Sequence, residues 1–271
     1  MLRQPAVAGR FYPADPVTLR LQVSHFISAA ANKDAAPRRA MACVVPHAGY
    51  MYSGGVAGAV YAALEIPARC ILLGPRHYPR GEDMAILSEG AWQTPLGKAP
   101  VDAELAAALR RACPLLREDA VAHRSEHALE VQLPFLQHLV QGVQFVPVAL
   151  GRVRLPELEQ LGAAVAATVK AEKDAVLVVA SSDFNHYESD EVTRRKDHLA
   201  IQRILALDAP GLHETVARED ISMCGYAATV AMLYAAKMMG ATRAELIRYA
   251  TSGDVSGDRS QVVGYGGIVI S

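Results

Sequence analysis

The chain has 271 residues, 51% of them hydrophobic, enough to bury a sizeable core in one large domain or two small ones. Its formal net charge of -1 leaves no basic excess for gripping nucleic acid phosphates. The most hydrophobic helical stretch, Tyr226 to Met239, is interrupted by Lys237 and falls short of the roughly 20 apolar residues that a bilayer span requires, so no membrane segment is expected. Cys43, Cys70, Cys113 and Cys224 lie far apart with no Cys-x-x-Cys pair, and Met1-Leu2-Arg3-Gln4-Pro5 lacks the apolar stretch of a signal peptide, which points to a reducing cytoplasm.

In chain order, Asp15-Pro16 reads as an N-cap followed by proline at the first helical position, and Leu19, Val23, Phe26 and Ile27 continue at helical spacing to about residue 31. The polar segment Asn32 to Arg39 predicts a loop entering the first central strand. Strand-like runs follow near 40–45, 70–73, 143–150, 175–180, 244–250 and 261–270. Between the first two, Ser53 to Val60 is rich in small residues and opens a helix ending near Leu64. Its glycines serve either tight helix–sheet packing or the display of amides to an anion, and the Gly-Lys-Ser/Thr ending of a phosphate-binding loop is absent. Further helices are predicted at 102–112 with Asp102 as cap, 126–140, 155–171, 190–207 with Asp190 as cap, and 224–239 closed by Gly240. The alternation predicts a single α/β domain over 1–271, with a central mixed or largely parallel sheet flanked by helices.

Three of the apolar runs lead to a histidine, in Val44-Val45-Pro46-His47, Ile71-Leu72-Leu73-Gly74-Pro75-Arg76-His77 and Ser181-Ser182-Asp183-Phe184-Asn185-His186. In an open α/β sheet the strand ends converge on one crevice, so His47, His77 and His186 are expected to share a site. Neutral imidazoles ligate a metal when their second nitrogen is held by a neighbour, which makes His47 and His77 candidate metal ligands. Asp183 and His186 share a face if the chain turns helically there, the carboxylate orienting the ring or joining it at a metal; the alternative is a polar turn and cap. Cys224 opens a predicted helix, where the dipole would favour its thiolate, while Cys43, Cys70 and Cys113 read as inert fillers. His123, His127 and Glu130 could line one helical face as a competing cluster, although Pro134 would end or kink that helix; His127 and Glu130 are otherwise expected on the cleft rim, touching substrate or supporting ligands. Tyr50, Tyr78, Tyr187 and Trp92 could form an aromatic wall.

The ordered set Arg10-Phe11-Tyr12-Pro13, Pro46-His47-Ala48-Gly49-Tyr50, Gly74-Pro75-Arg76-His77, Glu126 to Leu136, Ser181 to Tyr187 and Met223-Cys224-Gly225 resembles the Memo family over nearly the full length. Prokaryotic members of that family are called AmmeMemoRadiSam system protein B. The resemblance implies the fold of the class III extradiol dioxygenases, in which two histidines and a glutamate hold Fe(II) and another histidine is the acid/base group. It places His47 and His77 as ligands, Cys224 where the glutamate stands, and His186 as the acid/base residue with Asp183 beside it. A thiolate is a softer donor that also suits copper or zinc. The family is associated with iron and copper binding and redox activity, in animals with phosphotyrosine peptides, and in prokaryotes with radical SAM and AMMECR-type partners. Three functional readings follow: a metal-dependent oxidoreductase acting on a small aromatic or other O-donor ligand, a non-enzymatic peptide- or protein-binding module using the same cleft, and a thiol hydrolase with Cys224 activated by His186.

Overall fold

The computed structural model describes residues 1–31 and 36–271, so the loop predicted over 32–39 falls partly outside the described residues. The strands are β1 (Leu2–Arg3), β2 (Ala42–Val45), β3 (Arg69–Pro75), β4 (Met84–Ile86), β5 (Ala91–Thr94), β6 (Gly97–Pro100), β7 (Arg117–Glu118), β8 (Gln144–Leu150), β9 (Val176–Ser181), β10 (His186–Glu188), β11 (Ala244–Thr251) and β12 (Val262–Ile270). The helices are α1 (Pro16–Ala30), α2 (Tyr50–Ala62), α3 (Ala103–Ala112), α4 (Ala120–Arg124), α5 (Leu133–Leu139), α6 (Leu155–Ala171), α7 (Asp190–Leu205), α8 (Ala209–Arg218), α9 (Tyr226–Met239) and α10 (Gly253–Ser256).

Among the described residues, one nine-stranded mixed sheet runs in the order β10-β12-β2-β9-β3-β8-β4-β7, with β11 on the edge of β12. Its centre, β2-β9-β3-β8, is parallel, and the outer strands β12 and β4 are antiparallel to it. Covered on both faces, β2 and β9 bury every residue and β3 and β8 all but their first, which explains their continuous apolar runs. Side chains nevertheless alternate. Val44, Ile71, Leu73, Val146 and Val178 enter a core with helices α3, α6, α8 and α9, while Cys43, Leu72, Phe145 and Val179 face α1, α2 and α5. Cys43, Cys70 and Cys113 are buried in these cores. Among the described residues no helix is long and apolar enough to cross a membrane.

Local chemistry sets most helix ends. Asp15 and Asp102 accept the Thr18 and Leu105 amides as predicted, and Gly240 closes α9 at φ +101°. Ser189, one residue before the predicted Asp190, caps α7 by accepting from Val192 N–H, and Asp190 instead binds Arg194, Thr251 and Arg259. The small-residue segment lies inside α2, so its amides belong to the helix and not to an anion site. A Cβ at Gly58 would stand 2.7 Å from Phe26 of α1, so the glycine allows close packing as expected, but of helix on helix and not of helix on sheet.

The helix predicted over 126–140 is the clearest departure. Residues 126–129 are irregular, a single 3-10 turn covers Glu130–Gln132, and α5 starts with Pro134 in its first turn, where proline is tolerated. The irregular stretch exists because its polar groups are used across the fold. Glu130, fully buried, accepts from Arg3 Nη1 (2.7 Å), Tyr12 OH (2.6 Å) and the amides of Ala6 and Val7 (2.7 and 3.0 Å). It is therefore the anchor of the N-terminal segment and not the rim or substrate-contacting group expected. Breaking one side of a buried ion pair leaves the other charge uncompensated. Glu130→Ala, which strands Arg3 at 6% exposure, is thus expected to lower unfolding free energy by about 3–5 kcal/mol in urea denaturation.

Candidate metal centre

The C-terminal ends of three adjacent parallel strands bring the candidate residues together. β2 delivers His47, β3 delivers His77, and β9 between them delivers Ser181 and Asp183. Cys224 arrives from the turn before α9, two residues ahead of that helix. One ligating atom each from His47, His77 and Cys224 lie within 4.8 Å of one another, and the same holds for Asp183, His186 and Cys224 and for His77, Glu126 and His127. The Cys224 sulfur stands 3.1 Å from His47 Nε2. Sequence reasoning expected His47, His77, His186 and Cys224 in one cleft, and the fold brings their ligating atoms together; Glu126 joins them without having been expected.

Hydrogen-bond accounting sets the tautomers. The Ser181 hydroxyl donates its one proton to Ala128 O (2.7 Å) and accepts from Gln132 Nε2 (2.8 Å). Its 2.9 Å contact with His47 Nδ1 is then a bond donated by the ring, which leaves His47 Nε2 with a lone pair facing the sulfur. His77 Nδ1 is 2.9 Å from Glu126 Oε1, and His186 Nδ1 is 2.9 Å from Ser222 O, an acceptor only. Each ring is thus oriented through Nδ1, with Nε2 available as a ligand or proton acceptor. The chain at 182–185 is not helical, so Asp183 and His186 do not meet by helical spacing; Asp183 accepts the His47 amide at 2.7 Å and donates its own amide to the Cys224 sulfur at 3.3 Å.

Burial, then the neighbouring His77, hold His47 well below the usual imidazole range, so it is neutral at neutral pH. For His77, burial works against protonation, but the Glu126 hydrogen bond and charge, with Asp183, outweigh it and raise its basicity. Burial, then His47, pushes His127 down to about 4, and its ring stacks on His77 at 4.5 Å between centroids. Burial, outweighing the His47 amide, raises the Asp183 carboxyl. The expected helix-dipole activation of Cys224 is not realised. Burial, then Asp183, push its thiol well above the ordinary value, because the residue lies outside the helix in a site with a carboxylate neighbour. The donor set fits a soft or borderline divalent metal: two imidazole nitrogens with committed second nitrogens, plus a sulfur whose proton such a cation would displace.

Other predicted members lie elsewhere. His127 joins the cluster, but His123 and Glu130 do not share a helical face with it, because α4 ends at Arg124. Tyr50 is buried with its hydroxyl donated to Val131 O, Trp92 is fully buried against Phe145, and Tyr187 is 73% exposed at φ +61°. Tyr78 is 45% exposed and lines a different cavity, so these four rings form no aromatic wall on the cleft; they serve packing or face solvent. The cleft beside His77 and Cys224, about 510 Å³, is lined instead by Arg76, Arg152 and Arg154. The orienting groups Glu126, Ser181 and Ser222 were not singled out from sequence; the only signal was their position one to four residues from the flagged histidines, aspartate and cysteine.

Glu126 accepts from the His77, His127 and Ala128 amides (2.6, 2.8 and 2.9 Å) as well as from the His77 ring. Burial alone would raise its carboxyl, yet these donors pull it from 4.5 to about 2. A carboxyl held low in the folded state contributes stability that is complete above its unfolded value and is lost as pH falls from there to the folded value. Wild type should lose stability between pH 4.5 and 2. Glu126→Gln should start about 2–4 kcal/mol less stable and show a shallower slope in that window, as read by urea denaturation against pH.

Residues 3–269 match the family described as Memo-like protein. A MEMO1 family protein of Methanopyrus kandleri is 43% identical over 279 residues, covering 99% of each chain. MEMO1 family proteins of Methanosarcina barkeri (42%; 99% of this chain, 100% of that one) and Methanothermobacter thermautotrophicus (38%; 98% and 99%) are similar over the same extent. The chain belongs to the Memo family.

Proposed function

We propose that the protein is a metal-dependent oxidoreductase-type protein whose centre is His47, His77 and Cys224, with Fe(II) the leading metal and copper or zinc the alternatives. The observation that carries this reading is that the two imidazoles and the sulfur converge within 4.8 Å while Nδ1 of both rings is already committed. A bound metal would polarise an O-donor ligand and exchange electrons. The chain's own residues do the rest. Ser181 and Glu126 hold the ligand rings in register, the Asp183 amide donates to the Cys224 sulfur, and His186, oriented by Ser222 O, takes or returns a proton at Nε2, with the Asp183 carboxylate adding negative charge that favours a bound cation.

Metal content after anaerobic purification tests the reading. Wild type is expected to retain iron or copper and His47→Ala/His77→Ala to lose it; near-zero metal in both overturns the proposal. Ser181→Ala, which removes the bond that orients His47 together with those to Ala128 O and Gln132, should weaken metal affinity by about 10–100-fold. Because the Cys224 proton must leave, affinity should rise by about tenfold per pH unit below the thiol's pKa.

A second reading, capture of a phosphotyrosine-type peptide in the same cleft, draws on its three arginines. Arg76 and Arg154 pair with Asp83 and Glu157, and among the described residues Arg152 has no ion-pair partner. Calorimetry with a tyrosine-phosphorylated peptide should show heat that falls in Arg152→Ala; no heat with wild type removes this reading. Hydrolase chemistry receives no support, because the sulfur's hydrogen-bonded imidazole is His47 and burial keeps the thiol protonated.

A further inference from the structure

A second cavity, of about 550 Å³, lies apart from the Cys224 cleft and shares two loops with the imidazole cluster: Tyr78 follows His77 and Ser125 precedes Glu126. It is bounded by residues 1–6, Arg10, Ala120 and the segment 123–125, and among the described residues its lining contains no aspartate or glutamate. Its size suits a small organic ligand.

The charge of the lining is one-sided. Arg3 is neutralised by Glu130, but Arg10 and Arg124 are exposed and make no ion pair among the described residues; Arg10 Nη2 only donates to Ala6 O at 2.8 Å. The body of the cavity is apolar, with Leu2, Pro5, Leu87 and Ala120 in its wall. His123 is also part of that wall. It is 1% exposed, and neither ring nitrogen has a hydrogen-bond partner among the described residues. Burial, then Arg3, push it down to about 4, so at neutral pH it holds one donor and one acceptor, both unused. Buried polar groups without partners are costly and uncommon, and one in a cavity wall marks a place where a ligand could satisfy it.

We infer that this cavity binds a small hydroxylated organic carboxylate, the carboxylate held by the Arg10 and Arg124 guanidiniums, the apolar body packed on Leu87, and its hydroxyl hydrogen-bonded to the unpartnered ring of His123. A guanidinium presents two parallel donors that match the two carboxylate oxygens, which selects this group over a neutral one. Because the shared loops carry His77 and its carboxylate Glu126, occupancy here adjoins the metal centre without using its ligands.

4-Hydroxybenzoate is the probe. Titrated into the full chain and followed by histidine ring resonances, with His123 assigned through His123→Gln, it is expected to bind saturably and shift the His123 signals. Affinity should fall by about tenfold or more in Arg10→Ala/Arg124→Ala, whose side chains are at the surface; 4-hydroxybenzyl alcohol, which lacks the carboxylate, and benzoate, which lacks the hydroxyl, should each bind weaker by a similar factor. Binding should persist in His47→Ala/Cys224→Ala and in Arg152→Ala, which separates this site from the metal cleft. Unmoved His123 signals up to the solubility limit, or equal affinity in the double arginine variant, would overturn the inference.

Discussion

Two buried acceptors hold the cleft together. The Glu126 carboxylate takes four N–H donors, and the Ser181 hydroxyl bonds Ala128 O, Gln132 and the His47 ring. Between them they lock the irregular 126–128 segment to the ends of β3 and β9 and commit Nδ1 of both ligand imidazoles. Neither interaction is a surface ion pair that salt would screen away; both sit in the interior, where an unmet partner would cost more than the bond contributes. The orientation of the candidate ligands is therefore a by-product of satisfying buried polar groups, and the two cannot be separated by substitution.

The same arrangement explains how so many titratable groups share a small volume. Burial keeps His47 and His127 neutral and Cys224 protonated, so the principal fixed negative charge beside the rings is Glu126, which raises the basicity of His77. A site of neutral imidazoles, a thiol and adjacent carboxyls is short of positive charge, which is the electrostatic condition a cation relieves. The N-terminal segment completes the enclosure. Anchored by Glu130, it packs Phe11 edge-on to His127 at 4.7 Å between centroids.

Legibility followed burial and local chemistry. The central strands were readable because burial on both faces demands continuous apolar runs, and α1, α3, α6 and α9 because their caps and prolines are local signals. Helix α8 was missed although Asp208-Ala209-Pro210 carries the same capping pattern as Asp15-Pro16. Residues 126–140 misled because their apolar spacing fits a helix, while the decisive bonds run to Arg3, Tyr12 and His77, far away in sequence. Tyr50 and Trp92 were placed near the cleft by sequence proximity, yet adjacent residues on a strand or helix start point to different sides, and both rings went to the core.

The amino-acid sequence by itself determined the α/β class, the central strands and the shared edge of His47, His77 and Asp183, because parallel strands must end on one edge; Cys224, which follows no strand, was expected beside them only from the family resemblance. Only the tertiary structure decided which nitrogen of each ring is free, that Cys224 is held as a thiol, and that Glu126 orients the site while Glu130 anchors the N-terminus. Those outcomes depend on partners more than 30 residues away and on the desolvation of the finished interior, neither of which exists in a linear pattern.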